Sequence, residues 1–318
     1  MPSEFDLIAR YFKRPAANAV LGVGDDAALL APTAGAELVV STDMLVAGRH
    51  FLAEADPYHL GHKALAVNLS DLAAMGAVPR WATLSLALPE VDEAWLAAFS
   101  RGFFELAGRF GVSLVGGDTT RGPLNLCVTV LGEAPAGRAL RRSGARPGDG
   151  VWVSGDLGGA ALAVCHLNGE LVLDAADAEL CQVRLHRPEP RVVLGDMLCC
   201  VAHAAIDISD GLLADLGHIL AASGVGAELE FDRLPAHPAL APKRADPLVR
   251  RCLLAGGDDY ELCFTAPPER EQAILAVAET AGVTVTRIGR ITDQAGLRLL
   301  DGAGDAMQIR ERGFDHFA

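Results

Sequence analysis

The fold is decided by the stretch ATLSLALPEVDEAWLAAFSRGFFELAGRFG, residues 82–111. Its first seven residues alternate apolar and small side chains, which predicts a β-strand that ends before Pro89. From residue 90 to 110 the spacing is helical, and Gly111 stands where a helix C-cap is expected. The large apolar residues with this spacing are Trp95, Leu96, Phe99, Phe103 and Leu106. A strand followed directly by such a helix predicts a mixed α/β fold.

Other short apolar runs in the first half, bounded by glycine, proline or aspartate, predict further strands. These runs are Leu38–Val40, Ser113–Val115 and Leu126–Val130. Residues 58–75 have helical spacing and are followed by Gly76, a second expected C-cap. The N-terminal half is therefore predicted to form a mixed sheet with helices.

A polar segment rich in turn-forming residues, AGRALRRSGARPGDG at residues 136–150, is the best candidate for a domain junction. It separates an N-terminal domain, residues 1–137, from a C-terminal α/β domain, residues 138–318. The predicted fold class is thus α/β with mixed (α+β) sheets in two domains, the arrangement of a synthetase-like fold.

The C-terminal part repeats the strand and helix signals. Strands are predicted at Val151–Val153, Ala204–Ile208, Ala227–Phe231 and Leu262–Phe264. Helices are predicted from Arg191 toward Val201 and from Asp210 to Ala222, with Gly224 as the C-cap of the second. One face of this second helix is apolar and is expected to pack on a sheet; it carries Leu212, Leu213, Leu216, Ile219 and Leu220.

Composition excludes several classes of protein. The chain has 318 residues, and 41 acidic against 27 basic residues give a formal net charge of −14. Because such a surface repels phosphates, we expect no nucleic-acid partner. No apolar run reaches the ~18 residues of a membrane span, and the N-terminus is acidic where a signal peptide is basic. The seven cysteines contain no Cys-x-x-Cys pair. We therefore expect a cytoplasmic protein with reduced thiols and no membrane contact.

Aspartates recur beside glycine, serine or threonine just after short apolar runs. Taken singly, such an aspartate is more often a turn or N-cap residue than a ligand. Recurrence indicates a site, because loops of this kind collect at one edge of an α/β sheet. Converging carboxylates need cations between them, and Mg²⁺ prefers oxygen-rich surroundings. The six segments are residues 22–26, 41–43, 68–71, 116–120, 207–211 and 256–259.

Two alternatives stay open within these segments. Asp210 is either a metal ligand or the N-cap of the helix predicted to begin there. Asp25, Asp258 and Asp259 are either ligands or residues that hold their loops. The sequence does not decide between these roles.

Several common sites are excluded. Residues 22–27 satisfy the dinucleotide pattern G-x-G-x-x-A, but they would aim two carboxylates at an anionic pyrophosphate. None of the three lysines, Lys13, Lys63 and Lys243, stands in a P-loop, and no serine lies in a G-x-S-x-G elbow. His59 and His62 lack partners at zinc-binding spacing.

Eight motifs in order along almost the whole chain form a specific set, although each alone is weak. They are GVGDDA at 22–27, STDMLV at 41–46 with His50 and Phe51, KALAVNLSDLAAMG at 63–76, GGDT at 116–119, RSGA at 142–145, DISDGL at 207–212, GDDYEL at 257–262 and GFDHF at 313–317. Through this set the chain resembles the thiamine-monophosphate kinases, within the superfamily of aminoimidazole ribonucleotide synthetase and selenophosphate synthetase.

The resemblance implies an ATP-dependent kinase that converts thiamine monophosphate to thiamine diphosphate. It also implies a homodimer whose N-terminal sheets join across the interface. Residues 1–137 would bind ATP and Mg²⁺ and form the dimer, and residues 138–318 would complete the nucleotide and substrate site. The family's nucleotide contact near Arg101 aligns with no clear motif in this chain.

The resemblance also implies roles for single residues. Several Mg²⁺ ions would be held by Asp26, Ser41, Thr42, Asp43, Asp71, Asp118, Asp207 and Asp210. The nucleotide would contact Gly117, Asp118, Arg142 and Ser209. Thiamine monophosphate would contact His50, Glu261 and Phe317. Catalysis is assigned to Asp43, Asp71, Asp118 and Asp210.

The substrate contacts have ordinary alternatives on sequence alone. For His50, an ordinary core or surface position agrees with the sequence as well as a ligand role does. Phe317 either packs the C-terminal tail or stacks on a pyrimidine or thiazolium ring. Glu261 either faces solvent or offers a carboxylate to the cationic substrate.

The chemistry of the implied reaction agrees with this residue set. A phosphate monoester has a second pKa near ~6, so its attacking oxygen is already anionic at neutral pH and needs no catalytic base. The reaction needs suppression of anion repulsion and stabilisation of charge on the transferring group. We therefore expect direct in-line transfer, without a phosphoenzyme.

Two rival functions remain at this point. An ATP-dependent cyclo-ligase of the same superfamily, acting on a phosphoribosyl amidine, would share the metal-binding segments and differ in the acceptor pocket. A non-catalytic protein that binds nucleotide or metal would use the same acidic segments without turnover.

Overall fold

The computed structural model describes residues 3–311 and 313. The chain forms two compact units, Met1–Leu72 with Ala77–Gly137 and Ala73–Gly76 with Arg138–Ala318. The second unit thus includes four residues from the stretch that the sequence assigns to the N-terminal domain. Both units combine helices with a sheet, so the predicted fold class is confirmed.

The N-terminal unit contains a four-stranded mixed sheet in the order β1-β4-β2-β3. Strand β4 pairs antiparallel with β1 and β2, whereas β3 is parallel to β2. The strands span Ala36–Val46 (β1), Val78–Leu88 (β2), Ser113–Arg121 (β3) and Asn125–Pro135 (β4).

The helices near the N-terminus are α1 at Glu4–Leu7, a π-helical turn at Ile8–Phe12, α2 at Pro57–Ala74 and α3 at Glu93–Arg109. Helix α3 begins three residues later than the predicted start, because the Asp92 side chain accepts hydrogen bonds from the Ala94 and Trp95 N–H groups. The pair β2–α3 is the strand and helix that residues 82–111 predict, and β3 contains the strand predicted at Ser113–Val115.

Helices α2 and α3 cross with their backbones in contact. A Cβ added to Gly61 would lie 2.1 Å from the Phe99 carbonyl oxygen, and one added to Gly102 would lie 1.9 Å from that of Tyr58. Only glycine fits at both positions, so the two glycines set how closely the helices approach. Residues 60–70 of α2 are all buried, as is typical of a core helix.

The C-terminal unit contains a seven-stranded sheet in the order β11-β10-β7-β9-β5-β8-β6. Strands β10 and β7 are parallel, and the other neighbouring pairs are antiparallel. The strands span Gly150–Ser154 (β5), Ala204–Asp207 (β6), Gly226–Glu230 (β7), Leu262–Ala266 (β8), Val285–Thr292 (β9), Gly296–Leu300 (β10) and Ala306–Met307 (β11).

The α-helices of this unit are α4 at Gly159–Leu167, α5 at Ala175–His186, α6 at Val192–Leu198, α7 at Leu212–Ser223, α8 at Pro247–Ala255 and α9 at Glu271–Ala281. Short 3₁₀ turns lie at Phe231–Arg233, Ala241–Lys243 and Pro268–Arg270. Across the described parts of the chain, no helix is both long enough and apolar enough to cross a membrane.

Helix α7 buries the apolar face that its sequence predicts. The N-cap of α7 is Gly211, at φ +114°, and not Asp210. Gly211 provides no side-chain hydrogen bond to the helix. The Asp210 cap interpretation is therefore wrong, because the left-handed backbone of Gly211 separates Asp210 from the helix.

Candidate active site

Three of the six acidic segments lie in regular elements rather than in loops. Ser41–Asp43 belongs to β1, Asn68–Asp71 to α2 and Gly116–Thr120 to β3. The expectation of six loops is therefore wrong for these three. In each of the three, the strand or helix includes the polar segment. It can do so because polar side chains can lie on one face of an element whose other face is apolar.

Strand β1 and helix α2 gather the first group of candidate ligands. The Ser41 hydroxyl donates to Asp71 Oδ2 over 2.5 Å. One turn earlier on α2, Asn68 Oδ1 accepts the Asp43 N–H over 3.0 Å. Ser41 and Asp43 are two residues apart on a strand and so face the same side of the sheet. The structure thus brings Ser41, Asp43 and Asp71 to one place.

Thr42 lies on the opposite face of the same strand. Its hydroxyl is 2.7 Å from the Thr129 hydroxyl, its cross-strand partner on β4. Successive side chains of a strand point to opposite faces, so Thr42 faces away from its neighbours Ser41 and Asp43. The structure therefore does not bring the Thr42 side chain to Ser41 and Asp43.

Gly117 and Asp118 lie on β3, the edge strand at the other side of the sheet. A Cβ on Gly117, at φ +145°, would lie 1.8 Å from the Leu84 carbonyl oxygen. Glycine is therefore required for β3 to approach β2, where the pairing register shifts between Ala82 and Thr83. This backbone leaves the Asp118 side chain exposed.

A cavity of about 480 Å³ adjoins Asp118 within the N-terminal unit. Asp25 and Asp26 also line it, and apolar side chains of the first helical turns and of β3 form much of the remainder. The Asp26 N–H donates to Asp25 Oδ1 over 2.9 Å, so Asp25 also holds its own loop. The lining is Glu4, Phe5, Ile8, Phe12, Val23–Ala28, Leu84 and Leu114–Thr119.

The donor set suits a hard cation. It consists of carboxylate and hydroxyl oxygens, which are the ligands that Mg²⁺ prefers over nitrogen or sulfur. Within residues 3–311 and 313, no three His, Cys, Asp or Glu side chains converge as a metal-binding group. The N-terminal unit provides oxygen-rich places at Ser41 with Asp71, and at the cavity that Asp26 and Asp118 line.

His50 follows β1 in a turn and is half-buried. Its Nδ1 accepts the Val46 N–H over 3.0 Å. A ring nitrogen that accepts carries no proton, so a neutral His50 has its proton on Nε2. The turn thus orients the ring with Nε2 as a hydrogen-bond donor.

The second group of candidate ligands follows β6 in the C-terminal unit. Asp207 ends this strand and is buried, whereas Ser209 and Asp210 are half-buried in the loop between β6 and α7. The N–H groups of residues 209, 210 and 211 all donate to Oδ2 of Asp215 on α7. Burial raises the pKa of Asp215 to about 7.

Sequence reasoning missed Asp215. Its signal was available, since it lies on the apolar face of α7 beside Leu212 and Leu216, where a carboxylate is unexpected. A buried carboxylate on such a face needs hydrogen-bond partners and therefore has a structural or functional role.

Arg142 lies far from Ser209 and Asp210 in its own unit. Its carbonyl oxygen accepts the Ser223 hydroxyl over 3.2 Å, at the C-terminal end of α7. The Ser209–Asp210 loop lies at the opposite end of this helix, roughly 18 Å away at 1.5 Å per residue. The structure therefore does not bring Arg142 to this loop.

The segment from Gly257 to Glu261 is strained and internally bonded. Asp258 and Tyr260 have positive φ angles of 67° and 50°, and the Tyr260 hydroxyl donates to Asp258 Oδ1 over 2.9 Å. Both Asp259 oxygens accept the Gly158 N–H, at 2.9 and 3.1 Å. Burial raises the pKa of Asp259 well above its usual range, against the effect of these bonds. Asp259 thus holds the start of α4.

Glu261 does not face solvent, since only 1% of it is exposed. Its carboxylate accepts from Arg191 Nε over 2.6 Å and from the Ser154 hydroxyl over 2.6 Å, and Arg191 Nη2 donates to its second oxygen. Burial lowers the pKa of Arg191, but the bonds to Glu261 outweigh burial and raise it. A Cβ on Gly155 would lie 2.1 Å from Glu261 Oε1. Sequence reasoning also missed Arg191 as the partner of Glu261.

Phe317 lies outside the described residues. Gly313 is described, and a Cβ on it would lie 2.4 Å from the Ala214 Cβ and 2.9 Å from the Asp210 carbonyl oxygen. The chain therefore passes the Asp210 loop at residue 313.

The N-terminal and C-terminal parts of the chain each match a family model. Residues 24–134 match the family model described as AIR synthase related protein, N-terminal domain, and residues 146–302 match its C-terminal counterpart. Thiamine-monophosphate kinase of Escherichia coli (strain K12) is 48% identical over 320 residues, which cover 99% of this chain and 98% of that protein.

Two solved structures are similar over most of the chain. The thiamine-monophosphate kinase from Stenotrophomonas maltophilia K279a is 49% identical, with a TM-score of 0.86 and 95% of each chain covered. The structure of AaThiL complexed with AMPPCP and TMP is 31% identical, with a TM-score of 0.79; it covers 90% of this chain and 89% of that one.

Proposed function

Because the chain belongs to the thiamine-monophosphate kinase family, we propose that its two acidic regions carry out that family's reaction by direct phosphoryl transfer. The protein is an ATP-dependent kinase that converts thiamine monophosphate to thiamine diphosphate, a step of thiamine biosynthesis. AMPPCP, which is bound in the AaThiL complex, is an ATP analogue that cannot donate its γ-phosphoryl group. Full-length similarity to kinases favours this reaction over the cyclo-ligase and the non-catalytic alternatives.

One observation carries the chemical part of the proposal, namely that β1 and α2 bring Ser41, Asp43 and Asp71 together. The acceptor oxygen of a phosphate monoester is already anionic at neutral pH, so the site has no need of a general base. It needs instead groups that hold two anionic substrates close to each other.

We assign the Mg²⁺-holding role to the oxygen donors of both units. When bound, Mg²⁺ would offset the charge of the phosphates and of the transferring group. The residues that would hold the several Mg²⁺ ions are Asp26, Ser41, Thr42, Asp43, Asp71, Asp118, Asp207 and Asp210. Thr42 would contribute through its backbone, because its hydroxyl is bonded to Thr129 on the other face.

The nucleotide would bind Gly117 and Asp118 at the 480 Å³ cavity of the N-terminal unit. Arg142 and Ser209 of the C-terminal unit are the further nucleotide contacts that the family resemblance implies, although the structure does not bring these two residues together. The volume lies within the range of roughly 300–1,000 Å³ typical of ligand pockets. Asp26 and Asp118 would hold the cation, whose charge would offset that of the phosphates, and the apolar wall of the cavity would exclude water from the bound nucleotide.

Thiamine monophosphate would contact His50, Glu261 and Phe317. His50 is oriented to donate from Nε2, because Nδ1 already accepts the Val46 N–H. Glu261 would offer charge to the cationic substrate from a carboxylate that Arg191 and Ser154 already hold in one orientation.

A homodimer that joins the N-terminal sheets is supported by the free face of β1. Leu38, Val40 and Met44 are exposed on the face opposite Ser41 and Asp43. Val40 also lies across from Leu131 on β4. Exposed apolar side chains in a row are typical of an interface.

We also propose a cytoplasmic location. The seven cysteines contain no Cys-x-x-Cys pair, and Cys165, Cys181, Cys252 and Cys263 are buried. Buried thiols without such a pair favour a reducing compartment.

The experiment that tests the function is incubation with thiamine monophosphate, ATP and Mg²⁺, with products separated by chromatography. We expect thiamine diphosphate and ADP in equal amounts. Release of inorganic phosphate without thiamine diphosphate would contradict the proposal, and binding of ATP without ADP release would favour a non-catalytic protein.

A further inference from the structure

Asp215 occupies an unusual position beside the loop that carries Ser209 and Asp210. It lies in the first turn of α7 and is 3% exposed. Its Oδ2 accepts three hydrogen bonds, each of 3.1 Å, from the N–H groups of Ser209, Asp210 and Gly211. One buried carboxylate oxygen therefore satisfies three consecutive backbone donors.

The carbonyl side of the same loop is held by the neighbouring segment. The Asp258 N–H donates to the Ser209 oxygen over 2.9 Å, and the Tyr260 N–H donates to the Ile208 oxygen over 2.8 Å. A Cβ on Gly257 would lie 2.4 Å from the Ser209 oxygen, so the two segments pack without a gap. The loop backbone is thus bonded on both sides.

Consecutive N–H groups that point into one concavity normally bind an anion such as a phosphate. In this loop Asp215 fills the concavity from within the chain. The N–H groups of residues 209–211 are therefore occupied, and the loop meets a ligand through its half-buried Ser209 and Asp210 side chains.

We propose that Asp215 is a positioning residue for the nucleotide site, which holds Ser209 and Asp210 in the orientation that meets Mg²⁺-bound nucleotide. This role rests on the proposed function, in which Ser209 contacts the nucleotide and Asp210 contacts Mg²⁺. Asp215 itself touches neither, because its carboxylate is turned into the loop backbone.

The test compares Asp215→Ala and Asp215→Asn with the wild-type protein in binding of Mg·AMPPCP, measured by calorimetry. Asp215→Ala removes all three acceptor contacts, and we expect its Kd to rise at least tenfold. Asp215→Asn keeps an oxygen acceptor of similar shape but without charge, and we expect a rise of about threefold. In turnover assays the KM for ATP should rise in the same order, while the KM for thiamine monophosphate changes less than threefold.

The matched control is Asp149→Ala. Asp149 is also 3% exposed, and its carboxylate also accepts a backbone N–H, from Arg146 over 2.9 Å, together with His203 Nδ1 over 2.9 Å. We expect this variant to lose thermal stability to a similar extent but to bind Mg·AMPPCP like the wild type. Amide hydrogen exchange at residues 209–211 should accelerate in Asp215→Ala and stay unchanged in Asp149→Ala.

Three outcomes would overturn the role of Asp215. The first is faster exchange at residues 209–211 with unchanged affinity for Mg·AMPPCP. The second is an equal loss of affinity in Asp215→Ala and Asp149→Ala, which would indicate general destabilisation. The third applies if Asp215→Ala does not fold. In that case the role is overturned if Asp215→Asn shows faster exchange at residues 209–211 and unchanged affinity for Mg·AMPPCP. Failure of the proposed function looks different, since the wild type would then bind Mg·AMPPCP without forming thiamine diphosphate.

Discussion

The Ser41 hydroxyl donates to Asp71 Oδ2 over 2.5 Å and so joins strand β1 to helix α2. Thirty residues separate the two along the chain. A hydroxyl that donates to a carboxylate makes a short, charge-assisted hydrogen bond. The bond orients Asp71 toward the face of β1 that also carries Asp43, so two proposed ligands are positioned by backbone elements rather than by flexible loops.

Asp43→Asn and Asp71→Asn should each lower kcat/KM by about 100-fold or more, because loss of ligand charge costs at least as much as loss of a supporting residue. Side-chain volume hardly changes, so melting temperatures should shift by only a few degrees. Steady-state kinetics and thermal denaturation measure both. Asp92→Ala is the control, since removal of this N-cap costs about 1 kcal/mol of stability and should leave turnover intact. Wild-type turnover in both asparagine variants would disprove the metal assignment.

Chelation should abolish activity, and added Mg²⁺ should restore it. Asp118→Asn should raise the Mg²⁺ concentration for half-maximal rate, because it removes a charged oxygen donor that is exposed at the edge of the sheet. Titration of Mg²⁺ at saturating ATP measures this shift. Asp92→Asn, which keeps a good N-cap outside the site, should show the wild-type curve. Identical curves for Asp118→Asn and the wild type would remove Asp118 from the ligand set.

Glu261→Gln should destabilise the protein by about 3–5 kcal/mol, because it removes the buried counter-ion of Arg191, whose side chain is only 13% exposed. The double variant Glu261→Gln/Arg191→Met should recover much of this loss, since no unpaired charge remains. Urea denaturation measures the free energies of unfolding.

Substrate binding separates the two roles of Glu261. If its carboxylate also contacts thiamine monophosphate, the KM for that substrate should stay raised in the stable double variant. A wild-type KM in the double variant would restrict Glu261 to a structural role.

Val40→Asp should convert a homodimer to a monomer. Val40 is 58% exposed, so an aspartate there should lower the stability of the single chain only a little. If the N-terminal sheets of two protomers join at this face, the aspartate would be buried and would destabilise the dimer. Light scattering coupled to size-exclusion chromatography measures the mass. Val172→Asp is the control, because Val172 is 88% exposed and lies in the C-terminal unit. A dimer that survives Val40→Asp would place the interface elsewhere.

The buried Glu133 should make stability depend on pH. Burial raises its pKa, but hydrogen bonds from Thr33 and Arg80 outweigh burial, so the pKa lies below its usual range. A lowered pKa contributes stability above the unfolded value of about 4.3, and this contribution is lost as pH falls through the folded value. The stability difference between wild type and Glu133→Gln should therefore be constant near neutral pH and shrink below about pH 4. Urea denaturation at several pH values measures it, and a difference that grows in acid would contradict the assignment.

Local periodicity was enough to predict the elements that frame the site. The strand at residues 82–88 and the helix that ends before Gly111 are confirmed, because alternation and helical spacing are properties of neighbouring residues. The same reasoning left open whether Asp210 caps α7, and the structure excludes this alternative because Gly211, at φ +114°, is the N-cap. It also overlooked Asp215, because a pattern of apolar residues says nothing about a carboxylate among them.

The sequence by itself determined the residue types of the site, a set of oxygen donors without a P-loop, and the order of the elements that carry them. Only the tertiary structure decided which of these residues meet. It joined Ser41 to Asp71, buried Glu261 against Arg191 seventy residues away, and turned Thr42 away from Asp43. Contacts between distant residues depend on strand register and helix packing, which arise from the whole chain and which no local pattern contains.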